Sequence, residues 1–595
     1  MDSASFRSQA GHASVISVSL RDRDAQPAPK NGPPVGPGGP GGPGGPGAND
    51  LYQPKTSKFW LILASNFLAM FLVALDRTIV ATAIPRITDD FHSLGDVGWY
   101  GSAYMLTTAA SQLVFGRLYK HYNMKWVFLM SIIVFEVGSV ICAAAPNSPV
   151  FIFGRAVAGL GSAGIFSGAM MIMIPMIPLH KRPMFQSMFG MVFGLASVLG
   201  PLVGGAFTSG VTWRWCFWIN LPIGGLSLIF MLFFWNPPKR KTEAPAPVST
   251  QIMRLDPIGM FFFIPSVVCL LVALQWGGST YPWGNWRIIV LFVVAGVLGI
   301  AFTIVQILTP ETASIPVRII KQRSVLFATL FTFFIAGSML MLVYYLPIWF
   351  QTVKLISPLK SGIYTLPLVL ALVASSIMGG IATTKIGYYV PAMLICPSIM
   401  MIGEGLLSTL GRGSSQGEWV GFQFLSGFGL GLGMQTGGLA VQTVLPMPDV
   451  PLGVALVFFA QQLGGAISTT VGQTILSNLL GDQLKDIPGI DPKLVSESGA
   501  TELVDIVPAE DIDRVISAYD FALTRVFLAA MGFALLALLC GACMEWKSIK
   551  KGKPGAPGEP TPPVPRAAAP EPKKDQMDLE ANTSDSIELT DTRTR

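Results

Sequence analysis

The sequence predicts an all-α polytopic membrane protein with fourteen transmembrane helices. Of its 595 residues, 51% are apolar and only 12% are charged, whereas about a quarter of the residues of a soluble domain are charged. The apolar residues form long runs without the alternation of a β-barrel strand. Lys and Arg are concentrated in every second connection between these runs. These three observations indicate a helical bundle in lipid.

Fourteen apolar segments are long enough to cross a bilayer. A hydrocarbon core about 30 Å thick requires about 20 residues per helix. The segments are approximately 59–84, 97–116, 125–145, 150–174, 185–209, 215–235, 256–275, 287–308, 324–350, 361–382, 388–410, 419–441, 451–479 and 521–544. The short connections between them favour antiparallel neighbours in the bundle.

The basic residues predict the orientation of the chain. Lys and Arg cluster in the connections at 117–125, 181–182, 239–254 and 318–323, and again after the last segment. Cytosolic loops carry this excess in membrane proteins, so both termini are expected in the cytosol. The connection 480–520 is then the one long outer loop. The tails 1–57 and 547–595 lack the apolar content to fold and are predicted to be disordered.

Soluble enzyme chemistry is not supported by the motifs present. Gly159–Gly164 matches the G-x-G-x-x-G pattern, but it lies within an apolar helix, where small residues favour close packing instead. Gly413–Gly417 matches G-x-S-x-G in a short polar connection. The four histidines lie outside the apolar segments, and the cysteines lack zinc or disulfide spacing. We therefore expect no enzyme activity, cofactor or metal, and the dispersed charge of +6 predicts no nucleic-acid partner.

Few ionisable residues lie inside the predicted helices, and each is a functional candidate. Asp76 and Arg155 should lie at a similar depth in the outer half of the membrane, where an ion pair would avoid two isolated charges. This pair is either a proton site or a static link between helices. Glu136 and Glu404 are further candidates for proton coupling. Alternatively, they form hydrogen bonds across the bundle or lie near the interface.

One sequence pattern lies at the end of the first predicted helix, and a second connects the second and third helices. Residues 75–85 contain L-D-R-T-I-V-A-T-A-I-P, which is similar to L-D-x-T-I-V-x-x-A-x-P. Gly116–Lys125 is similar to G-x-L-a-D-r-x-G-r-k. Lys120 stands where that pattern has Asp, and Asn123 replaces its second Gly.

Further patterns lie in later helices. Residues 200–205 contain G-P-L-V-G-G, in which glycines flatten one helix face and the proline weakens a backbone hydrogen bond. Residues 213–222 and the stretch from Arg155 to Gly161 add to the pattern. Together these segments resemble the fungal form of the fourteen-span drug:proton antiporter branch of the major facilitator superfamily. The resemblance covers roughly 58–546.

The resemblance implies roles for individual residues. Asp76 and Arg155 would take part in proton transfer. Gly116, Arg117 and Lys125 are candidate gating residues of an inner gate, in which Lys120 replaces the usual Asp. The candidate gating residues of the antiporter signature are Gly200, Pro201, Gly204 and Gly205. Gln435, Gln461 and Gln462 are candidates for a cavity wall, although glutamines at this depth also link helices.

The resemblance also implies an architecture and a function. Two six-helix bundles, 58–236 and 324–546, would enclose a midplane cavity, with linkers and an inserted helix pair in 237–323. The expected function is proton-coupled efflux of small amphipathic compounds, by a monomer in the plasma membrane. The alternatives are a transporter of a defined polar solute, such as basic amino acids across the vacuolar membrane or siderophores, and a receptor or scaffold that transports nothing.

Overall fold

A computed structural model describes residues 52–93, 96–237, 247–278, 280–485, 487, 508 and 511–550. Within these ranges the chain forms fourteen helices of 15 to 35 residues. They are α1 (Ser57–Phe91), α2 (Val97–His121), α3 (Met124–Ala143), α4 (Ser148–Met176), α5 (Arg182–Gly210), α6 (Asn220–Phe234), α7 (Pro257–Trp276), α8 (Trp286–Leu308), α9 (Arg323–Thr352), α10 (Leu366–Ile386), α11 (Val390–Leu407), α12 (Gln416–Gly433), α13 (Val450–Leu484) and α14 (Ile512–Ala542). Nearly all of both predicted tails and most of the predicted loop 480–520 lie outside the described residues.

The all-α multi-pass prediction is confirmed, whereas the predicted number of fourteen spans is not confirmed. Twelve described helical stretches are long and apolar enough to cross a membrane. Of the fourteen helices, α2 and α12 do not meet that measure. Helix α2 contains polar residues that are used inside the bundle: Thr108 donates to the carbonyl of Gly159 at 3.0 Å and Gln112 to the hydroxyl of Ser167 at 2.6 Å. Such residues lower the hydropathy of a helix without exposing polar groups to lipid.

Two of the predicted helical segments differ from the helices in the structure. Helix α1 continues through Pro85 to Phe91, beyond the predicted end at 84. The predicted segment 419–441 is two helices, because α12 ends at Gly433 and a short helix, Thr436–Val444, follows. Glycines at 427, 429, 431 and 433 precede this break, and glycine has low helix propensity.

Helices α1 to α6 pack mainly on one another, as do α9 to α14. In the first set the main contacts are α1 with α5 and α6, and α4 with α2 and α3. In the second set they are α9 with α13 and α14, and α12 with α10 and α11. The sets meet along α5–α10 and α2–α13. Helix α7 packs on both α2 and α13, with α8 on its other side, so the inserted pair covers one of these seams.

Glycines allow the closest helix contacts. A Cβ atom at Gly161 of α4 would overlap the backbone nitrogen of Phe135 in α3 and lie 2.7 Å from its Cα. One at Gly138 of α3 would lie 2.6 Å from the Cα of Ala158. Gly159–Gly164 therefore lies inside a packed helix, which confirms the interpretation of this motif as a packing surface.

Candidate functional site

A buried ion pair links α1 to α4. The Nη1 atom of Arg155 donates to Oδ2 of Asp76 at 2.7 Å, and the two side chains are 2% and 0% exposed. The pairing expected from the sequence is therefore present, while its role in proton coupling stays a prediction. Removing one partner of such a pair would leave an uncompensated charge, which costs about 3–5 kcal/mol in protein interiors.

Groups from α2 and from the segment before α6 hold Arg155 in position. Its Nε atom donates to the carbonyl of Tyr100 at 2.9 Å. Its guanidinium carbon lies 4.5 Å from the centre of the Tyr104 ring and 5.9 Å from that of Phe217. These contacts leave the guanidinium group with a defined direction toward Asp76.

Asn220 is part of this site, although sequence reasoning did not select it. Its Nδ2 atom lies 3.2 Å from Oδ1 of Asp76 and 3.1 Å from the hydroxyl of Ser139. Asn220 is the first residue of α6 and is fully buried. Its position within the fungal-type pattern at 213–222 was the available signal. Asp76 thus accepts hydrogen bonds from two other helices.

Neither Glu136 nor Glu404 forms an ion pair or hydrogen bond with Asp76 or Arg155 within the described residues. Both carboxylate oxygens of Glu136 are buried close to Gly224, and the described part of the chain offers them no hydrogen-bond partner. Glu404 is fully buried, and its Oε1 atom accepts a hydrogen bond from Ser338 of α9. Glu404 therefore forms the cross-bundle bond that was one alternative, and a role for either residue in proton coupling stays a prediction.

A cavity of about 390 Å³ lies beside the ion pair. Helices α1, α2, α4, α7, α9 and α13 line it, mostly with residues from their predicted outer halves. Its polar lining residues include Arg77, Arg155, Gln275, Tyr344 and Gln462. This volume lies in the range of small-molecule sites. Because Arg155 borders the cavity and pairs with Asp76, a ligand in the cavity would lie beside the ion pair.

The three candidate glutamines occupy different places. Gln462 lines this cavity. Gln435 lies at the break between α12 and the following helix, and lines a separate crevice of about 20 Å³ with Gln186 of α5. Gln461 lines neither space. The structure thus brings only Gln462 to the main cavity.

The antiporter-like glycines bring α5 against α1. A Cβ atom at Gly200 would lie 2.7 Å from Cβ of Thr78, and one at Gly204 would lie 3.0 Å from the carbonyl oxygen of Ile79. Thr78 also donates to the carbonyl of Ala196 at 3.0 Å. Pro201 lies inside α5, and Gly205 has open space on its side-chain face. Gly200 and Gly204 therefore pack directly beside the turn of α1 that carries Asp76.

The predicted cytosolic ends of α2 and α13 are in contact. A Cβ atom at Gly116 would lie 2.6 Å from that of Ala455. Arg117 is buried and donates to the carbonyl of Ala313 at 3.1 Å. Lys125 donates to the carbonyl of Leu232 at the end of α6, at 2.6 Å. Helices α2 and α13 thus meet on this side of the molecule.

Asp449 connects three segments of the chain on this side. Its Oδ1 atom lies 3.2 Å from Nζ of Lys120 in α2 and 2.8 Å from Nη2 of Arg318, in the short helix before α9. Asp449 is the residue before α13 and is 6% exposed. Where the usual loop has an acid at the position of Lys120, this chain has the base there and the acid in the residue before the facing helix α13. The available sequence signal was an acid in the short connection before α13, which the sequence predicts to be cytosolic.

We expect Asp449→Asn to open this contact more than Lys120→Met does. The first change removes the partner of both cations, whereas the second leaves the bond from Arg318 to Asp449. Distances between spin labels at Asn123→Cys and Met447→Cys, with Cys269 and Cys543 replaced by Ser, would report the separation. The population with separated α2 and α13 ends should rise several-fold in Asp449→Asn, since each partly buried pair contributes about 1 kcal/mol. Equal opening in both variants would contradict the shared role of Asp449.

Known proteins are similar to this chain over most of its length. The family model described as Major Facilitator Superfamily matches residues 67–469. The "MFS-type efflux pump MFS1" of Arthroderma benhamiae is 49% identical, over 83% of this chain and 92% of that protein. The "Efflux pump aflT" of Aspergillus parasiticus is 48% identical, with 83% and 96% covered. The "Efflux pump roqT" of Penicillium rubens is 47% identical, with 81% and 90% covered.

Solved structures share the fold at low sequence identity. The human organic anion transporter MFSD10 (TETRAN) superposes with a TM-score of 0.53 at 14% identity, over 80% of this chain and 99% of that one. A bacterial homologue of the human lysosomal transporter Spinster, inward-facing and unoccupied, gives a TM-score of 0.50 at 15% identity, over 82% and 98%. At this identity the likeness concerns the fold alone.

Proposed function

Because this chain belongs to the Major Facilitator Superfamily, a family of transporters and not of enzymes, we propose that it is a proton-coupled efflux pump. Its substrates are small amphipathic compounds, namely xenobiotics, antifungal drugs, secondary metabolites or toxins. The names of fungal relatives at 47–49% identity support export. The observation that carries proton coupling is the buried pair of Asp76 and Arg155 at the wall of the cavity.

Asp76 exchanges Arg155 for a proton during the transport cycle. In the present conformation Arg155 neutralises the Asp76 carboxylate. A conformation that separates the two side chains leaves a buried carboxylate without its counter-charge, and a proton then neutralises it at lower cost. Binding one proton on the outside and releasing it on the inside supplies the driving force for export.

Alternating access occurs between the bundles 58–236 and 324–546, with α2 and α12 completing fourteen spans. The packing of α1 to α6 and of α9 to α14 as separate sets supports this division. The bundles rock about the α5–α10 and α2–α13 seams, and the contacts of Asp449 hold the inner side closed while the cavity faces outward. Both tails lie in the cytosol, and the pump acts as a monomer in the plasma membrane.

Dye accumulation tests the proposed function. Cells that express the full chain should retain less of an amphipathic fluorescent dye than cells with an empty vector, for at least one member of a panel of acidic, basic and neutral dyes. A protonophore should raise accumulation to the vector level because it removes the proton gradient. Efflux that persists at full rate after the gradient has collapsed would contradict proton coupling. Equal retention of every dye in both cell lines would favour a receptor or scaffold.

A further inference from the structure

The main cavity carries an uncompensated positive charge. Its described lining includes Arg77 and Arg155 but no Asp or Glu. Asp76 compensates Arg155 at 2.7 Å. Arg77, by contrast, is partly exposed to the cavity, and the described part of the chain gives it no hydrogen bond or ion pair. The cavity therefore has a net charge of about one positive unit, because Asp76, which also attracts Arg77, is already paired with Arg155.

The guanidinium group of Arg77 lies at a depth where a cation without an ion pair is energetically unfavourable. A cation inside the membrane costs several kcal/mol unless it pairs or faces water. The planar guanidinium group binds carboxylates and similar acids through two parallel hydrogen bonds. A ligand that carries a negative charge would supply the missing partner of Arg77.

The rest of the lining indicates what such a ligand looks like. Trp99, Tyr104 and Tyr344 present aromatic surface, and Gln275, Gln462, Thr469 and Thr470 supply neutral hydrogen-bonding groups. Aromatic walls with a few polar groups suit a flat, mostly apolar molecule. The volume of about 390 Å³ accommodates one molecule of this kind.

We propose that the cavity selects aromatic organic anions and that Arg77 binds their acidic group. The acidic group is a carboxylate, a phenolate or a sulfonate. This inference deepens the proposed export function by naming its substrate class, and it rests on that function only for the transport that follows binding. Arg155 borders the same cavity, so the bound anion lies near the ion pair of Asp76.

Binding of two xanthene dyes to the purified full-length chain tests the proposal. Fluorescein is anionic at pH 8, whereas rhodamine 6G has the same ring system and a positive charge. Fluorescence polarisation in lipid nanodiscs should show at least tenfold tighter binding of fluorescein. Rhodamine 6G binding as tightly as fluorescein would overturn the proposal, and this comparison requires no variant.

Variants then assign the selectivity to Arg77. Arg77→Gln should weaken fluorescein binding about 10- to 100-fold, the range of a hydrogen bond to a charged group, and change rhodamine 6G binding less than about threefold. Arg77→Lys should retain an intermediate affinity, because it keeps the charge and loses the planar fork. Arg86→Gln is the matched control, since Arg86 is an exposed arginine of the same helix outside the cavity. It should bind both dyes like the wild type.

Two outcomes would remove Arg77 as the anion site. One is an equal loss of binding affinity for both dyes in a monodisperse Arg77→Gln protein. The other is an unchanged preference for fluorescein in that variant. Because the binding assay uses no proton gradient, it separates the two proposals. If the protein prefers fluorescein but its efflux is insensitive to a protonophore, proton coupling is refuted and the anion site is supported. If efflux depends on the proton gradient but the protein does not prefer fluorescein, the anion site is refuted and proton coupling is supported.

Discussion

The substitution Asp76→Asn is expected to reduce proton-driven efflux to the level of cells without the pump. Asn keeps the size of the side chain and its hydrogen-bonding oxygen, but it cannot exchange a proton. It also leaves Arg155 buried without a counter-charge, which would destabilise the fold by about 3–5 kcal/mol. Efflux and the amount of folded protein must therefore be measured together.

The double variant Asp76→Asn with Arg155→Gln separates the two explanations of this pair. It removes both charges, so the amount of folded protein should recover relative to the single variant. Efflux should remain absent if Asp76 carries the proton. A double variant that pumps like the wild type would show that the pair is only a static link between α1 and α4. Asp90→Asn, a change in a partly exposed acid of the same helix, is the control and should leave efflux intact.

The substitution Gly161→Val is expected to prevent stable folding. Any Cβ atom at this position overlaps the backbone of Phe135 in α3. Because the obstacle is backbone, no side-chain rotation relieves it, and α3 and α4 must move apart. Overpacking of this kind costs about 3 kcal/mol or more. Size-exclusion chromatography of a fluorescent fusion should show aggregated protein or little protein.

A matched glycine distinguishes packing from the loss of glycine itself. Gly296 of α8 is exposed and has open space around its side-chain position. Gly296→Val should give a monodisperse peak and a thermal midpoint near that of the wild type. A similar result for Gly161→Val would refute the packing role of this glycine and of the motif that contains it.

The candidate site could be predicted in part. The depths of Asp76 and Arg155 follow from their positions in two apolar segments, so their pairing could be expected from the sequence alone. The partner of Lys120 could not be expected, because Asp449 is more than three hundred residues away and only the packing of α2 on α13 brings them together. Asn220 was missed for a related reason, since a buried amide has no charge to mark it.

By itself, the sequence determined that this protein is a multi-pass helical membrane protein of a transporter family. The length of the apolar segments, the basic connections and the local motifs involve residues that are close together in the sequence. They can therefore be recognised without knowledge of the fold. Only the tertiary structure decided that Gln462 reaches the cavity while Gln435 and Gln461 do not, and that Arg77 lines it with no ion pair among the described residues. A helix presents residues on all sides, and the face that meets a cavity depends on how its neighbours pack around it.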